Sequence, residues 1–147
     1  MKFLYQLGIN LAALLLPVSR FFSPKMKLFV DGRKQSFAVL ENQIDKNQEY
    51  IWFHVASLGE YEQGLPVMEE IKAKYPEYKL LLTFFSPSGF EIRKNNKIAD
   101  ITIYLPLDTK QNVKHFLDIV QPKMVFFIKY EFWPNYLYKL KNRNIPT

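Results

Sequence analysis

Two glutamates in this sequence stand just beyond short apolar runs. Glu60 closes "HVASLGE", which follows "YIWF", and Glu131 opens "EFWPN", one residue after "MVFFIK". A carboxylate at the end of a buried strand can take a proton from an attacking hydroxyl. The same group in the first turn of a helix can instead hold backbone amides. Ser57, Leu58, Gly59 and Glu60 have the spacing of a capping box, in which Ser57 accepts from the N3 amide and Glu60 reaches back to the N-cap amide. Such a cap stabilises a helix start by about 1 kcal/mol. The base reading has its own support, since the helix dipole keeps the carboxylate ionised and Gly59 lets a substrate approach the backbone. Spacing leaves both roles open. Glu131 is equally divided between a surface acid that compensates a helix dipole and a second acid facing the same cleft.

Other strand ends carry weaker signals. "TFFSPSG" puts Ser86, Ser88 and Gly89 in a polar turn before a helix expected from about Phe90. Exposed amides there can hold a phosphate or a sugar hydroxyl, or the segment is simply a turn chosen by Pro87 and Gly89. In "KYEFWPN", Trp133 suits a core position and Pro134 the first turn of a helix. His54, inside a strand, reads as a hydrogen-bonded core residue, and His115 as a surface residue. The chain has no cysteine and two histidines, so neither a disulfide framework nor a thiolate zinc site is available and no metal site is expected. Neither GxGxxG nor GxxxxGK[ST] occurs, which removes local support for a dinucleotide or P-loop phosphate site, and no cofactor is expected.

Four apolar runs must position these residues: "YIWFHV" (50–55), "KLLLTFF" (79–85), "ITIYLPL" (101–107) and "MVFFIK" (124–129). They are too short for helices and nearly continuous in hydrophobicity, as strands buried on both faces of a parallel sheet are. Amphipathic stretches between them, such as Tyr61, Leu65, Met68, Ile71 and Tyr75, read as crossover helices, the first of them bent or delayed by Pro66. The fold class is therefore α/β, a Rossmann-like, open, mainly parallel sheet whose ligands collect beyond the carboxyl ends of the strands. With 147 residues and 48% hydrophobic content, one core is expected. At the end of the chain, Ile145 and Pro146 read as the opening of a further strand, so the sequence is expected to be the front part of a longer protein.

The net charge of +6 belongs to the start of the chain. Residues 1–40 carry six basic side chains against Asp31 alone, whereas 41–147 carry 14 basic and 13 acidic ones. The body lacks a basic stripe, so nucleic acid is not expected as a partner. An anionic membrane surface is, with each nearby Lys or Arg worth roughly 1 kcal/mol. The adjoining apolar stretch, residues 3–18, contains Gln6, Gly8 and Asn10 and falls short of the ~20 residues that span a bilayer. No small-residue cleavage site follows it. Residues 1–20 are expected as a retained membrane-anchor segment, with an apolar helix packed on its own domain as the alternative. Residues 21–49 then form a connecting region with helical stretches, and 50–147 the Rossmann-like domain.

Taken together, "GRK" (32–34), "HVASLGE", "TFFSPSG", "YLPLD" and "PKMVFFIKYEFWPN" resemble the N-terminal half of bacterial Kdo transferases, which add 3-deoxy-D-manno-octulosonic acid to the lipid A precursor in lipopolysaccharide biosynthesis. The resemblance covers nearly all of this chain and about the first third of a family member. It implies a two-domain GT-B glycosyltransferase at the cytoplasmic face of the cell inner membrane. The N-terminal domain takes the lipid A precursor, and a C-terminal domain beyond residue 147 takes CMP-Kdo. The reaction it implies inverts the anomeric carbon without a metal. Carried onto this chain, it makes Glu60 the general base and places Glu131 near the reaction centre. Ser57, Gly59, Ser86, Ser88 and Gly89 fall at the acceptor. Two positions depart from the commoner pattern. Leu58 replaces Val, and Lys129 stands where many members carry a carboxylate, so that role does not transfer and Lys129 becomes a candidate phosphate contact. The alternatives are a GT-B enzyme with another nucleotide-sugar donor and a non-catalytic membrane-docking α/β module.

Overall fold

The four apolar runs form strands β1 (Tyr50–Val55), β2 (Lys79–Phe84), β3 (Ile101–Tyr104) and β4 (Met124–Phe127). All neighbours are parallel, in the order β3-β2-β1-β4, with Phe53 paired to both Leu82 and Phe126. The computed structural model describes residues 2–129 and 131–147. Among the described residues there are six helices: α1 (Lys2–Ser19), α2 (Pro24–Gln43), α3 (Leu58–Lys74), α4 (Pro87–Arg93), α5 (Lys110–Val120) and α6 (Pro134–Asn142).

Alternate side chains of each strand feed opposite faces of the sheet. Trp52, Leu81, Ile103 and Val125 pack with Leu40 of α2, Phe116 of α5 and Tyr136 of α6, while Phe53, Val55, Leu82 and Phe84 pack with Tyr61 and Met68 of α3. Burial on both faces explains why the strands read as unbroken apolar runs. This is a mixed α/β, all-parallel, Rossmann-like architecture, consistent with the fold expected from the sequence. β2 and β3 lie on one side of β1 and β4 on the other, so the order reverses between β1 and β4. In open α/β sheets such a reversal is where ligands bind, beyond the carboxyl ends of the strands. Val125 N–H donates to the Pro146 carbonyl at 2.9 Å, which lays the final residues along the open edge of β4.

Helix α2 occupies most of the region between the apolar segment and β1, and it is packed onto the sheet. Val30, Arg33, Ser36 and Leu40, spaced three or four apart, form its buried face. The approach is close enough that a Cβ on Gly32 would collide with the Tyr104 ring. Gly32→Ala is therefore expected to destabilise the protein by about 1–3 kcal/mol through overpacking, read as a lower midpoint of thermal unfolding.

Two helices depart from expectation. α3 is not delayed by Pro66. It starts at Leu58 and runs through the proline, which is exposed, so the Glu62 carbonyl deprived of its amide partner faces solvent. α4 begins at Pro87 rather than near Phe90, because Ser86 caps it and Pro87 supplies a preset first turn.

Helix α1 turns its apolar residues outward. Phe3, Leu4, Leu7, Leu11 and Leu14 are each more than half exposed. Tyr5 Oη donates to Asp108 Oδ2 at 2.6 Å and Gln6 Nε2 to Asn135 Oδ1 at 2.5 Å, while Ile9, Ala13 and Leu16 are half-buried. Among the described residues no single helix is long and apolar enough to cross a membrane. α1 and α2 pass that test only as a pair, bent by 118°.

Candidate active site

Glu60 lies in the first turn of α3, immediately beyond β1. Its Oε2 accepts from the Ala56 amide at 2.5 Å and from the Ser57 amide at 3.2 Å. Ser57 is the N-cap, in an extended conformation (φ −141°, ψ 176°), and completes a capping box, although its hydroxyl approaches the N3 amide without a well-formed hydrogen bond. The box is thus carried by the glutamate. Among the described residues no hydrogen bond engages the other oxygen, Oε1, and the side chain is half-buried rather than sealed. Gly59 is exposed, with open space where a Cβ would stand. One oxygen anchored and one left without a hydrogen bond among the described residues suits a base, because the anchored one fixes the orientation of the carboxylate.

Glu131 follows the end of β4 and, like Glu60, lies near enough to His54 of β1 to act on its charge. Trp133 Nε1–H donates to its Oε2 at 2.9 Å and stands 3.1 Å from His54 Nε2. His54 is fully buried in β1. Its Nδ1 lies 2.9 Å from Thr83 Oγ1 and 3.2 Å from the Thr83 carbonyl, which can only accept. The neutral ring consequently carries its proton on Nδ1. A proton taken up at Nε2 would instead sit between His54 and Glu131 Oε2, 3.4 Å apart. Burial pushes the His54 pKa down, against the pull of Glu131 and Glu60. His54, when Nε2 is protonated, and the Trp133 N–H hold Glu131 below the ordinary glutamate range, against partial burial; beside the neutral ring the Trp133 N–H alone does so. At neutral pH the site therefore holds an ionised Glu131 beside a neutral imidazole.

Those shifts have a consequence for stability. The unfolded chain binds a proton at His54 more readily than the folded one, so the stability due to the neutral ring is full above the ordinary histidine value of about 6.5 and declines below it. Glu131, whose pKa is lowered on folding, contributes stability above the ordinary carboxylate value that is lost as pH falls through its folded value. The midpoint of thermal unfolding should fall between about pH 7 and pH 5, and His54→Gln should flatten that first decline. An unchanged slope in the variant would contradict the assignment.

The turn after β2 brings Ser86 and Ser88 to the surface, hydroxyl to hydroxyl at 2.8 Å, with Ser86 Oγ also accepting from the Ser88 amide at 3.3 Å. Gly89 is buried. A Cβ there would lie 2.9 Å from the Leu58 amide nitrogen and 2.8 Å from the Phe84 ring, so its small size lets α4 pack against the start of α3. Lys129 is exposed and adopts a left-handed backbone (φ 64°), unusual for a residue other than glycine. Ser57, Gly59, Glu60 and Glu131 gather around the β1 and β4 ends, while Ser86 and Ser88 stand at the neighbouring β2 end.

Two residues with no local signal also build the site. Asp108, beyond β3, is fully buried and accepts from the Asn135 and Tyr136 amides at 3.0 Å each, capping α6 from a distance of 27 residues in sequence. Burial raises its pKa, against the Tyr5 hydroxyl and those amides. Arg33, on α2, reaches the carboxyl ends of β2 and β3. Beside the site, an apolar groove of about 690 Å³ runs between α1 and the start of α6, walled by Phe3, Tyr5, Pro134 and Tyr138, with Lys110 at its rim. Among the described residues no group of three His, Asp or Glu side chains is placed to hold a metal ion.

A family model described as 3-deoxy-D-manno-octulosonic-acid transferase matches residues 31–147, a span that takes in every candidate site residue. The chain belongs to this family. A 3-deoxy-D-manno-octulosonic acid transferase of Haemophilus influenzae is 36% identical over 98 residues, which is 65% of this chain and 23% of that protein. One of Aquifex aeolicus is 37% identical over 86 residues, 58% of this chain and 24% of its own length. A bifunctional glycosyltransferase/methyltransferase of Fusobacterium nucleatum is 29% identical over 131 residues, 84% of this chain and 19% of that protein. The matched residues thus cover about a quarter of the length of the first two relatives.

Proposed function

We propose that the full-length protein carrying this chain is a glycosyltransferase that moves Kdo from CMP-Kdo to the lipid A precursor. An acceptor hydroxyl attacks the anomeric carbon, the bond from that carbon to the CMP phosphate oxygen breaks on the opposite face, and the hydroxyl proton passes to Glu60. Configuration inverts in one displacement, without a metal. The observation that carries this reading is the Glu60 carboxylate, half-buried at the start of α3, with Oε2 fixed by two backbone amides and no hydrogen bond to Oε1 among the described residues.

The remaining residues take supporting parts. Glu131, ionised beside His54, orients the acceptor or balances charge at the reaction centre. Ser86 and Ser88 offer hydroxyls to the acceptor's sugar or phosphate, and Lys129 offers a cation where the commoner pattern has a carboxylate. The apolar groove beside Asn135 gives the acceptor's acyl chains a place next to the chemistry. The outward apolar face of α1 and the basic residues near it dock the protein on the cytoplasmic face of the inner membrane. The donor is held by a further domain, so this chain alone binds acceptor without turnover.

The test is transfer by the full-length protein to the lipid A precursor, followed by mass spectrometry of the product. A mass increase of Kdo with CMP-Kdo supports the reading. Transfer only from another nucleotide sugar, or no transfer from any donor, overturns it.

A further inference from the structure

Arg33 is the one strongly buried cation on α2, 8% exposed, and it has no carboxylate partner among the described residues. Its guanidinium meets three backbone carbonyls instead. Nε donates to Leu105 at 3.1 Å, Nη1 to Phe29 at 3.1 Å and Nη2 to Phe85 at 2.6 Å. Two of those carbonyls belong to segments leaving β3 and β2. The guanidinium also lies over the Phe29 ring, 3.6 Å from its centroid, and 4.6 Å from that of Phe85. Burial lowers its pKa to about 9, so it remains charged at neutral pH.

A buried charge with no opposite charge is a poor way to fasten a helix. Val30 and Leu40 already fix α2 by apolar burial, and Ser36 Oγ fastens it to the Tyr104 carbonyl at 2.8 Å. What Arg33 adds is a bridge to one particular place. Its Phe85 acceptor immediately precedes Ser86, the cap of α4, and the Phe85 ring packs on Trp133 with centroids 4.8 Å apart. Trp133 in turn donates to Glu131 at 2.9 Å. One guanidinium thus holds the start of the serine turn after β2 directly and reaches the indole that holds the second acid through the Phe85 ring.

We propose that Arg33 is a positioning residue, which holds the Phe85–Ser88 turn and, through the Phe85 ring, the Trp133 donor to Glu131 in the geometry that receives the acceptor. The kinetic part rests on the function proposed above; the structural part does not. A planar fork is required, because a lysine's single ammonium cannot hold the Leu105 and Phe85 carbonyls together while stacking on two rings.

The experiment compares Arg33→Met, Arg33→Lys and Ser36→Ala in the full-length protein. The serine variant removes an α2 anchor from the same region without touching Phe85, and it controls for loosened packing. Hydrogen exchange read by mass spectrometry should rise in peptides covering 85–90 and 131–135 in both arginine variants and stay unchanged there in Ser36→Ala. With CMP-Kdo and the lipid A precursor, kcat/KM for the acceptor should fall on the order of tenfold to a hundredfold in both arginine variants, as displacement of a positioned group does. Ser36→Ala should keep the wild-type value whatever its unfolding midpoint. Unchanged exchange in the arginine variants would overturn the clamp. Equal kinetic losses in Ser36→Ala and Arg33→Met at matched unfolding midpoints would reduce Arg33 to a structural residue and also overturn it. A wild-type protein without transferase activity sinks the proposed function and leaves the exchange result to decide the clamp.

Discussion

Glu60→Gln is expected to fold as stably as the wild type and to transfer Kdo at least about 10²-fold more slowly. Both halves follow from the geometry. The amide oxygen of glutamine can accept from the Ala56 and Ser57 N–H groups just as Oε2 does, so the start of α3 keeps its cap. What is lost is a basic oxygen at the open position. Glu60→Ala removes both contributions and should lose about 1 kcal/mol of stability in addition to activity. The two variants together separate the roles that spacing alone could not. Equal activity losses accompanied by equal stability losses would make Glu60 a cap and nothing more.

The second large effect concerns α1. Leu7, Leu11 and Leu14 are all more than half exposed on one helix, so aspartates there disturb no core packing. Replacing all three should move the full-length protein from the membrane pellet to the supernatant, since each substitution removes apolar contact with the lipid boundary and adds a charge repelled by anionic headgroups. The unfolding midpoint should stay near the wild-type value, because the hydrogen bonds of Tyr5 and Gln6 and the half-buried Ile9, Ala13 and Leu16 are left in place. A triple variant that still sediments fully with membranes would place the attachment elsewhere in the protein.

The sheet was legible in the sequence because each strand, buried on both faces, announces itself as a short unbroken apolar run. Ser57 and Glu60 were legible because a capping box has local spacing. Asp108 was not, since it caps α6 across 27 residues of sequence, and no local pattern records such a bond. Arg33 lay inside a stretch read as a connecting region. Its meaning depends on carbonyls 52 and 72 residues away. His54 was correctly read as a hydrogen-bonded core residue from its place in a strand, but its contact with Glu131 depends on β1 and β4 being neighbours, a fact of topology. Gly89 shows the reverse limit. Its place in a polar turn suggested substrate contact, whereas its burial against Leu58 and Phe84 accounts for the glycine by packing.

The central claim is that the open oxygen of Glu60 removes the acceptor's proton, and single-turnover kinetics test it most directly. Full-length wild type and Glu60→Gln would each be loaded with lipid A precursor, its dissociation constant measured, and then mixed with excess CMP-Kdo. Acceptor affinity within about twofold of wild type, with a first-turnover rate lower by about 10² or more, is the predicted result. A first turnover as fast as that of the wild type would contradict it.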